Sequence, residues 1–275
     1  MNHGKYVFSQ SVEFLPQRVF DRLVTKYNGN NSVKHFTCCN HLLCMLYGQL
    51  SSRESLRDLI TVIEAHQSKS YHLGFGKNVT RSNLSKANEN RNYKIFKDFA
   101  NHLILIAQEK NSNNSFEIKG NIYAFDSSTL DLCLSVFWWA LFRKTKTGIK
   151  LTMLFDINTQ TPVFIHITEA NVHDVNAMDI INYEPFAYYV FDPAYVDYLR
   201  LLQITKTAAY FVVKAKLNLK FKRMYSKKTD KSTEVIYDQT GKIDEFYTSK
   251  DYPEKLIKVK FFDAENKKNA TLFDY

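Results

Sequence analysis

Two rhythms of apolar and polar residues divide this chain. Up to about residue 110 the apolar positions recur every three or four residues, the period of helices. The segment "HLLCMLYGQL" is apolar on most faces, as in a buried helix. In "SRESLRDLITVIEAH" the residues Leu56, Leu59, Ile60 and Ile63 follow helical spacing, and Ser52 and Ser55 are both available as caps. Gly74 and Gly76 mark a loop. "NVTRSNLSKANENR" then predicts a short polar helix with Arg81 at its start and Lys86 at its centre. Asn92 can cap a longer helix that places Tyr93, Phe96, Phe99, Leu103 and Ala107 on one face. This order fits a small helical DNA-binding module. It fits a plain helical bundle equally well.

The polar stretch "KNSNNSFE" (110–117) marks a boundary, after which the apolar residues come in short runs. "GNIYAFD" predicts a buried strand ending on Asp126. "GIKLTMLFDINT" and "TPVFIHITEA" predict a hairpin turning at Asn158 to Pro162. "MDIINYE" reads as helix, "YYVFD" as a strand stopped at Asp192 by Pro193, and "VDYLRLLQI" as helix. Strands mixed with helices make the fold class α/β. From Ala209 the run "YFVVKAKLNLKFKRMYSKK" has period two. It predicts one strand with Lys214, Lys216, Lys220 and Lys222 on one face and Val213, Ala215, Leu217, Leu219 and Phe221 on the other.

Charge sharpens this picture. The chain has 37 Lys+Arg against 28 Asp+Glu, a formal +9. Most of that excess falls between Val212 and Lys231, which also holds Arg223, Lys227 and Lys228. A phosphate-tracking surface is one reading and a solvated strand face the other. Hydrophobic residues at 45% exclude a disordered chain. Cys38, Cys39, Cys44 and Cys133 have neither zinc nor disulfide spacing and read as reduced core residues. Trp138 and Trp139 also read as core. No leader peptide, membrane span or glycine-rich nucleotide loop is visible, so a soluble intracellular protein without a nucleotide cofactor is expected.

Candidate chemistry lies in the two strands that stop on an acid. Either Asp126 or Asp192 alone is an ordinary turn cap. Converging at one sheet end, the two would suit a hard cation such as Mg²⁺ or Mn²⁺. Such ions can drive phosphodiester cleavage.

Longer motifs extend the reading. "GKYVFSQSVEFLPQRVFDRLVTKYNGN", "QLSSRESLRDL", "FGKNVTRSNLSKANENRNYKIF", "YAFDSSTLDLCLSVFWWALFRKTKTGIKL" and "ITEANVHDVNAMD" together resemble the IS4-type insertion-sequence transposases of bacteria, in a Bacteroidetes-like group. The resemblance covers essentially the whole chain. It implies a helical N-terminal DNA-binding domain over 1–110 and an RNase H-like core over 118–208. It further implies a basic β-rich insertion over 209–275 and an Asp-Asp-Glu triad that binds divalent metal. Asp126 falls on the first acid and Asp192 on the second. The implied partner is duplex DNA at terminal inverted repeats, with room for a homodimer, in a bacterial cytoplasm at the nucleoid. Lys214, Lys216, Lys220, Lys222, Arg223, Lys227, Lys228, Arg81 and Lys86 are the candidate DNA contacts.

Three features depart from that pattern. No Tyr-Arg-Glu-Lys stretch carrying the third acid follows Asp192, and "NKKNATLFDY" reads like a shifted frame. The second acid is followed by Pro193-Ala194-Tyr195 where the family has Arg-Gly-Tyr, and Thr152 stands where it has His. The expectation is a truncated, catalytically impaired RNase H-like domain; only robust strand joining by this chain would mean that another acid, Glu245 or Glu254, completes the site. The alternative is a DNA-binding fragment that interferes with an intact transposase. His173-Asp174 is either part of the active-site scaffold or a turn capping the next helix.

Overall fold

A computed structural model describes residues 7–66, 75, 79–111, 118–132, 141–143, 146–215, 219–230 and 233–274. The chain divides into two compact units, Met1–Ile106 and Ala107–Tyr275.

The first unit is helical: α1 (Val7–Val12), α2 (Gln17–Lys26), α3 (Cys38–Leu50), α4 (Leu56–Ala65), α5 (Arg81–Asn90) and most of α6 (Lys94–Lys110). Three helices start where a hydroxyl can accept an otherwise orphaned backbone N–H. Thr37 accepts from Asn40, Ser55 from Asp58 and Thr80 from Asn83, each worth about 1 kcal/mol. Ser55 is therefore the α4 cap. Ser52 instead bends the α3–α4 link with a left-handed φ of 52°. Helix α3 serves two cores. Leu43 and Cys44 pack with Phe8, Leu59, Ile63 and Leu84, while Cys38 packs with Phe20, Ile95 and Phe99.

Burial pushes the thiols up, Cys44 to about 12, so they are protonated core groups. Cys133, Trp138, Trp139, Gly74 and Gly76 lie outside the described residues. The buried stripe of α6 is centred on Ile95 and Phe99, one turn apart, with Phe20 edge-on to Phe99 at 4.9 Å. Of the face expected from the sequence, Phe96, Phe99 and Leu103 pack in this core, whereas Tyr93 is 66% exposed.

The second unit is built on β1 (Ile122–Leu132), β2 (Leu141–Arg143), β3 (Lys146–Asp156), β4 (Thr161–Glu169), β5 (Tyr188–Phe191), β6 (Tyr210–Lys214), β7 (Phe221–Lys227), β8 (Val235–Ile243), β9 (Leu256–Asp263) and β10 (Lys268–Asp274). All ten described strands form one sheet, ordered β2-β3-β1-β5-β6-β10-β9-β8-β7, with β4 added beside β3. The β3–β4 hairpin forms as its spacing predicts. Strand β1 runs antiparallel to β3 and parallel to β5, and β5 runs parallel to β6. The crossover from β5 to β6 is helix α7 (Tyr198–Lys206). A short α8 (Thr248–Asp251) follows β8. A helical region followed by a large mixed sheet makes the fold α/β.

Alternation sets the core. Tyr123, Phe125, Tyr189, Phe191, Phe211 and Val213 point to one face, where Leu201 and Ile204 of α7 cover them. Burial of each such side chain stabilises by about 1.5–3 kcal/mol.

Three expectations are corrected. "MDIINYE" is not an α-helix. A 3₁₀ helix spans Asp174–Ile180, and the chain then turns irregular up to β5. Strand β1 does not stop at Asp126, because β3 keeps pairing with it as far as Leu132. The basic run is not one strand. Lys214 ends β6, an inner strand between β5 and β10, and Lys222 begins the basic face of β7 at the sheet edge. The alternating run straddles the end of β6 and the start of β7, so its period two cannot reveal the break between them. Strand β6, grouped in the sequence with the insertion, is paired in parallel with the core strand β5.

Candidate active site

Phe125 of β1 sits in parallel register with Phe191 of β5. Asp126 is the next residue of β1, and Asp192 is the first residue after β5 ends, so each acid directly follows one member of that registered pair. Both occupy the face opposite Phe125 and Phe191, and both are exposed. Phe191 is likewise in register with Val213, so Lys214 continues the same row on β6. The topology thus sets Asp126, Asp192 and Lys214 each one residue past the registered positions Phe125, Phe191 and Val213 of three adjacent strands.

Local hydrogen bonds fix the backbone around each acid. Asp126 Oδ1 accepts from the Ser127 N–H at 2.7 Å. Asp192 Oδ1 accepts from the Ala194 N–H at 3.0 Å and caps a 3₁₀ turn over Pro193–Tyr195. Pro193 suits the first position of that turn, where its missing N–H costs nothing. Pro193-Ala194 is thereby accommodated without glycine.

Beneath the acids, side chains tie their two segments together. The Tyr195 hydroxyl donates to Ser127 Oγ at 2.8 Å, and Ser127 Oγ donates to Asp174 Oδ1 at 2.7 Å. Buried Lys150 of β3 meets the same Asp174 oxygen at 2.8 Å and donates to the Val172 carbonyl at 2.5 Å. Ser127 directly follows Asp126, and Tyr195 closes the turn that Asp192 caps. The Tyr195–Ser127 bond therefore clamps one acid-bearing segment to the other. Burial pushes the Tyr195 phenol up to about 12, which keeps it a donor near neutrality. Burial works against the charge of Asp174, but hydrogen bonds from Lys150 and Ser127 outweigh it and hold the carboxyl below its usual range.

His173 accepts from the Val175 N–H through Nδ1 at 3.4 Å and caps the 3₁₀ helix Asp174–Ile180. Both readings of the His173-Asp174 pair are present: the histidine caps and the aspartate builds the scaffold. Thr152, 1% exposed, packs between Ser127 of β1 and His166 of β4 in the strand register.

The candidate DNA contacts divide among three places. Arg81 and Lys86 are exposed on α5. Lys214 stands in the row of acids. Lys220, Lys222, Arg223, Lys227 and Lys228 are exposed on β7 and its flanks. Lys216 lies outside the described residues. Sequence reasoning missed Lys150, Ser127 and Tyr195. A signal existed in β3, where Lys150, Thr152 and Asp156 share the inward parity with Leu154 and are buried like it.

Two exposed carboxylates in one row, with no salt-bridge cation among the described residues, supply hard oxygen donors. That chemistry fits two ligands of a divalent ion. Among the described residues no group of three or more His, Cys, Asp or Glu converges into a metal site. Glu245 accepts from Thr248 Oγ1 at 3.0 Å, and neither it nor Glu254 joins the aspartates in such a group.

Comparison with known proteins shows the family of the chain. Residues 118–261, more than half the chain, match the family model described as transposase DDE domain, and residues 3–76 match a domain of unknown function (DUF4372). The chain belongs to the DDE transposase domain family. It is similar to "Putative transposase y4zB" of Sinorhizobium fredii, with 28% identity over 139 residues, 50% of this chain and 38% of that protein. The match thus spans well under half the length of that curated relative. A solved structure of piggyBac transposase in a synaptic complex with hairpin DNA aligns with 96% of this chain and 59% of its own, at 12% identity and a TM-score of 0.44.

Proposed function

We propose that the chain acts on duplex DNA as an IS4-type transposase, cutting and joining strands at terminal inverted repeats. The observation that carries this reading is that Asp126 and Asp192 directly follow the registered pair Phe125 and Phe191 of the adjacent parallel strands β1 and β5, inside the family-matching segment. The two carboxylates would hold Mg²⁺ or Mn²⁺. Such an ion supplies Lewis-acid stabilisation of charge developing on the phosphodiester. The protein's own part is positional. Pairing of β1 with β5 sets the spacing of the acids, the Tyr195–Ser127–Asp174–Lys150 network fixes their backbones, and Lys214 offers a cation to a phosphate in the same row. No helix among the described residues is long and apolar enough to cross a membrane; a cytoplasmic, nucleoid-associated location and assembly as a homodimer on DNA belong to this reading.

A second reading is favoured by one observation: no third acid joins the two aspartates among the described residues. In that reading the chain binds DNA without catalysis and competes with an active transposase. The test is cleavage and joining of end-labelled repeat DNA with Mg²⁺ or Mn²⁺. Products that vanish in Asp126→Ala support the first reading. Retained binding with no nicking, in the wild type and Asp126→Ala alike, supports the second.

A further inference from the structure

The 3₁₀ helix Asp174–Ile180 presents Asp174 to Ser127 and Lys150, and it depends on outside contacts to hold that pose. Hydrogen-bond geometry is poorer in a 3₁₀ helix than in an α-helix, and the chain beyond this one is irregular up to β5. Val175, Ala177 and Met178 seat it in the core that Leu201 and Ile204 of α7 share. Arg200 of α7 grips its far half. Nε donates to Asp179 Oδ1 at 2.8 Å and Nη2 to Asp179 Oδ2 at 2.7 Å, a two-pronged bond. Nη2 also donates to Asn176 Oδ1 at 3.4 Å, and Nη1 to Asp197 Oδ2 at 3.0 Å.

Helix stability does not account for an arginine at this position. Arg200 lies in the first turn of α7, where the helix dipole disfavours a cation. Its planar fork reaches acceptors on two segments at once, which the point charge of a lysine cannot do in the same way. The hydrogen bonds from Arg200 hold the Asp179 carboxyl below its usual range, and the bond to Asp179 in turn raises the guanidinium, so both stay charged near neutrality.

These bonds close a circuit that runs through both acid-bearing segments. From Asp126 it passes to Ser127, whose Oγ donates to Asp174. It follows the 3₁₀ helix to Asn176 and Asp179, crosses Arg200 to Asp197, and returns two residues along the chain to Tyr195. The Tyr195 hydroxyl donates back to Ser127, and Tyr195 closes the turn that Asp192 caps. In a closed circuit neither segment can swing without breaking a second bond. We propose that Arg200 is a positioning residue for the acid pair: by fixing the 3₁₀ helix against α7 it sets the spacing at which Asp126 and Asp192 offer their carboxylates to a divalent ion. It acts through Asp174 and Tyr195. The proposal rests on the reading of the two aspartates as metal ligands.

The test is titration of the full chain with Mn²⁺, followed by electron paramagnetic resonance of the free ion. Arg200→Met should weaken Mn²⁺ binding on the order of 10-fold, the low end of what residues supporting a metal ligand contribute. The sign is diagnostic, because loss of a cation would by charge alone strengthen the binding of a divalent ion. Asp179→Asn should weaken binding as well, and the double variant should be no weaker than Arg200→Met, since both changes break one grip. Thr205→Ala, on the same helix, removes the bond to the Tyr252 hydroxyl at 3.0 Å. It should lower the melting temperature and leave Mn²⁺ affinity unchanged. Circular dichroism melts place all the variants on one stability scale. Unchanged or tighter binding in Arg200→Met overturns the proposal, as do fully additive losses in the double variant. Equal weakening in Thr205→Ala also overturns it, since Arg200 would then act through stability alone. A wild type that binds no Mn²⁺, or an Asp126→Ala variant that binds as well as wild type, overturns the metal-ligand reading and this proposal with it. Wild-type binding that needs Asp126 but not Arg200 overturns only the role of Arg200.

Discussion

Strands β6 and β7 lie at the two ends of one alternating run of apolar and basic residues and come to rest in opposite surroundings. In β6 the apolar parity is sealed, with Phe211 fully buried and Val213 nearly so, because β5 and β10 flank the strand and α7 covers it. In β7 only Phe221 is half-buried, and Met224 and Tyr225 are more than half exposed. That strand pairs with β8 alone, and its register slips between Arg223 and Tyr225. Lysines and a bulge are the devices that keep a sheet edge from pairing with another chain. The two ends of one sequence pattern therefore take on different duties according to position in the sheet. Lys214 is placed beside the acids, whereas Lys222 and Lys227 guard an edge.

The contrast can be broken most forcefully in the core. Tyr189 is fully buried, and its hydroxyl oxygen accepts from the Glu184 N–H at 2.8 Å. Tyr189→Ala should cost about 3–5 kcal/mol, whereas Met224→Ala on β7 should stay within about 0.5 kcal/mol. Urea unfolding followed by circular dichroism compares them, and equal losses would erase the distinction between inner and outer strands.

An intermediate effect is expected from Lys150→Met, which leaves Asp174 without its cation. Asp174 keeps about a third of its side chain exposed, so the loss should be on the order of 2 kcal/mol near pH 7, below the range for fully buried pairs. Its carboxyl is depressed in the folded state. The stabilisation is therefore complete above the unfolded value of about 3.9 and disappears as pH falls through the folded value. The gap between wild type and variant should close in acid. A gap that stays constant with pH would show that Lys150 acts through packing instead.

The smallest effects separate the lysines. Lys214→Ala should reduce the salt slope of DNA binding by about 0.9, the value of one phosphate contact. Lys222→Ala should reduce it less and leave folding within about 0.5 kcal/mol. A larger change for Lys222 would reassign the edge strand as the tracking surface.

What could be read from the chain alone followed from local physics. The apolar runs that reach Asp126 and Asp192 predict neighbouring strands, the Asn158–Pro162 turn predicts its hairpin, and Ser55 predicts its helix start. What could not be read depended on distance or position. The bonds of Ser127 to Asp174 and to Tyr195 join residues far apart in sequence, and no spacing rule reaches them. Tyr93 fitted a helical stripe, but packing against Phe20 centred that stripe on Ile95 and Phe99 instead. Lys150 was legible in principle, as a lysine at the inward parity of an apolar strand. Its partner was not.

Strand β10 joins the sheet between β6 and β9, with Leu272 opposite Lys214. Until residues 268–274 are in place, β6 is an open edge and the meander from β7 to β9 has nothing to connect it to the parallel strands. Completion of the sheet thus waits on a pairing between segments far apart in the chain. Such non-local pairing slows folding and leaves an unpaired, apolar strand edge available to other chains meanwhile. Yield of soluble protein should therefore depend on how quickly this one strand finds its slot, more than on how stable the finished sheet is.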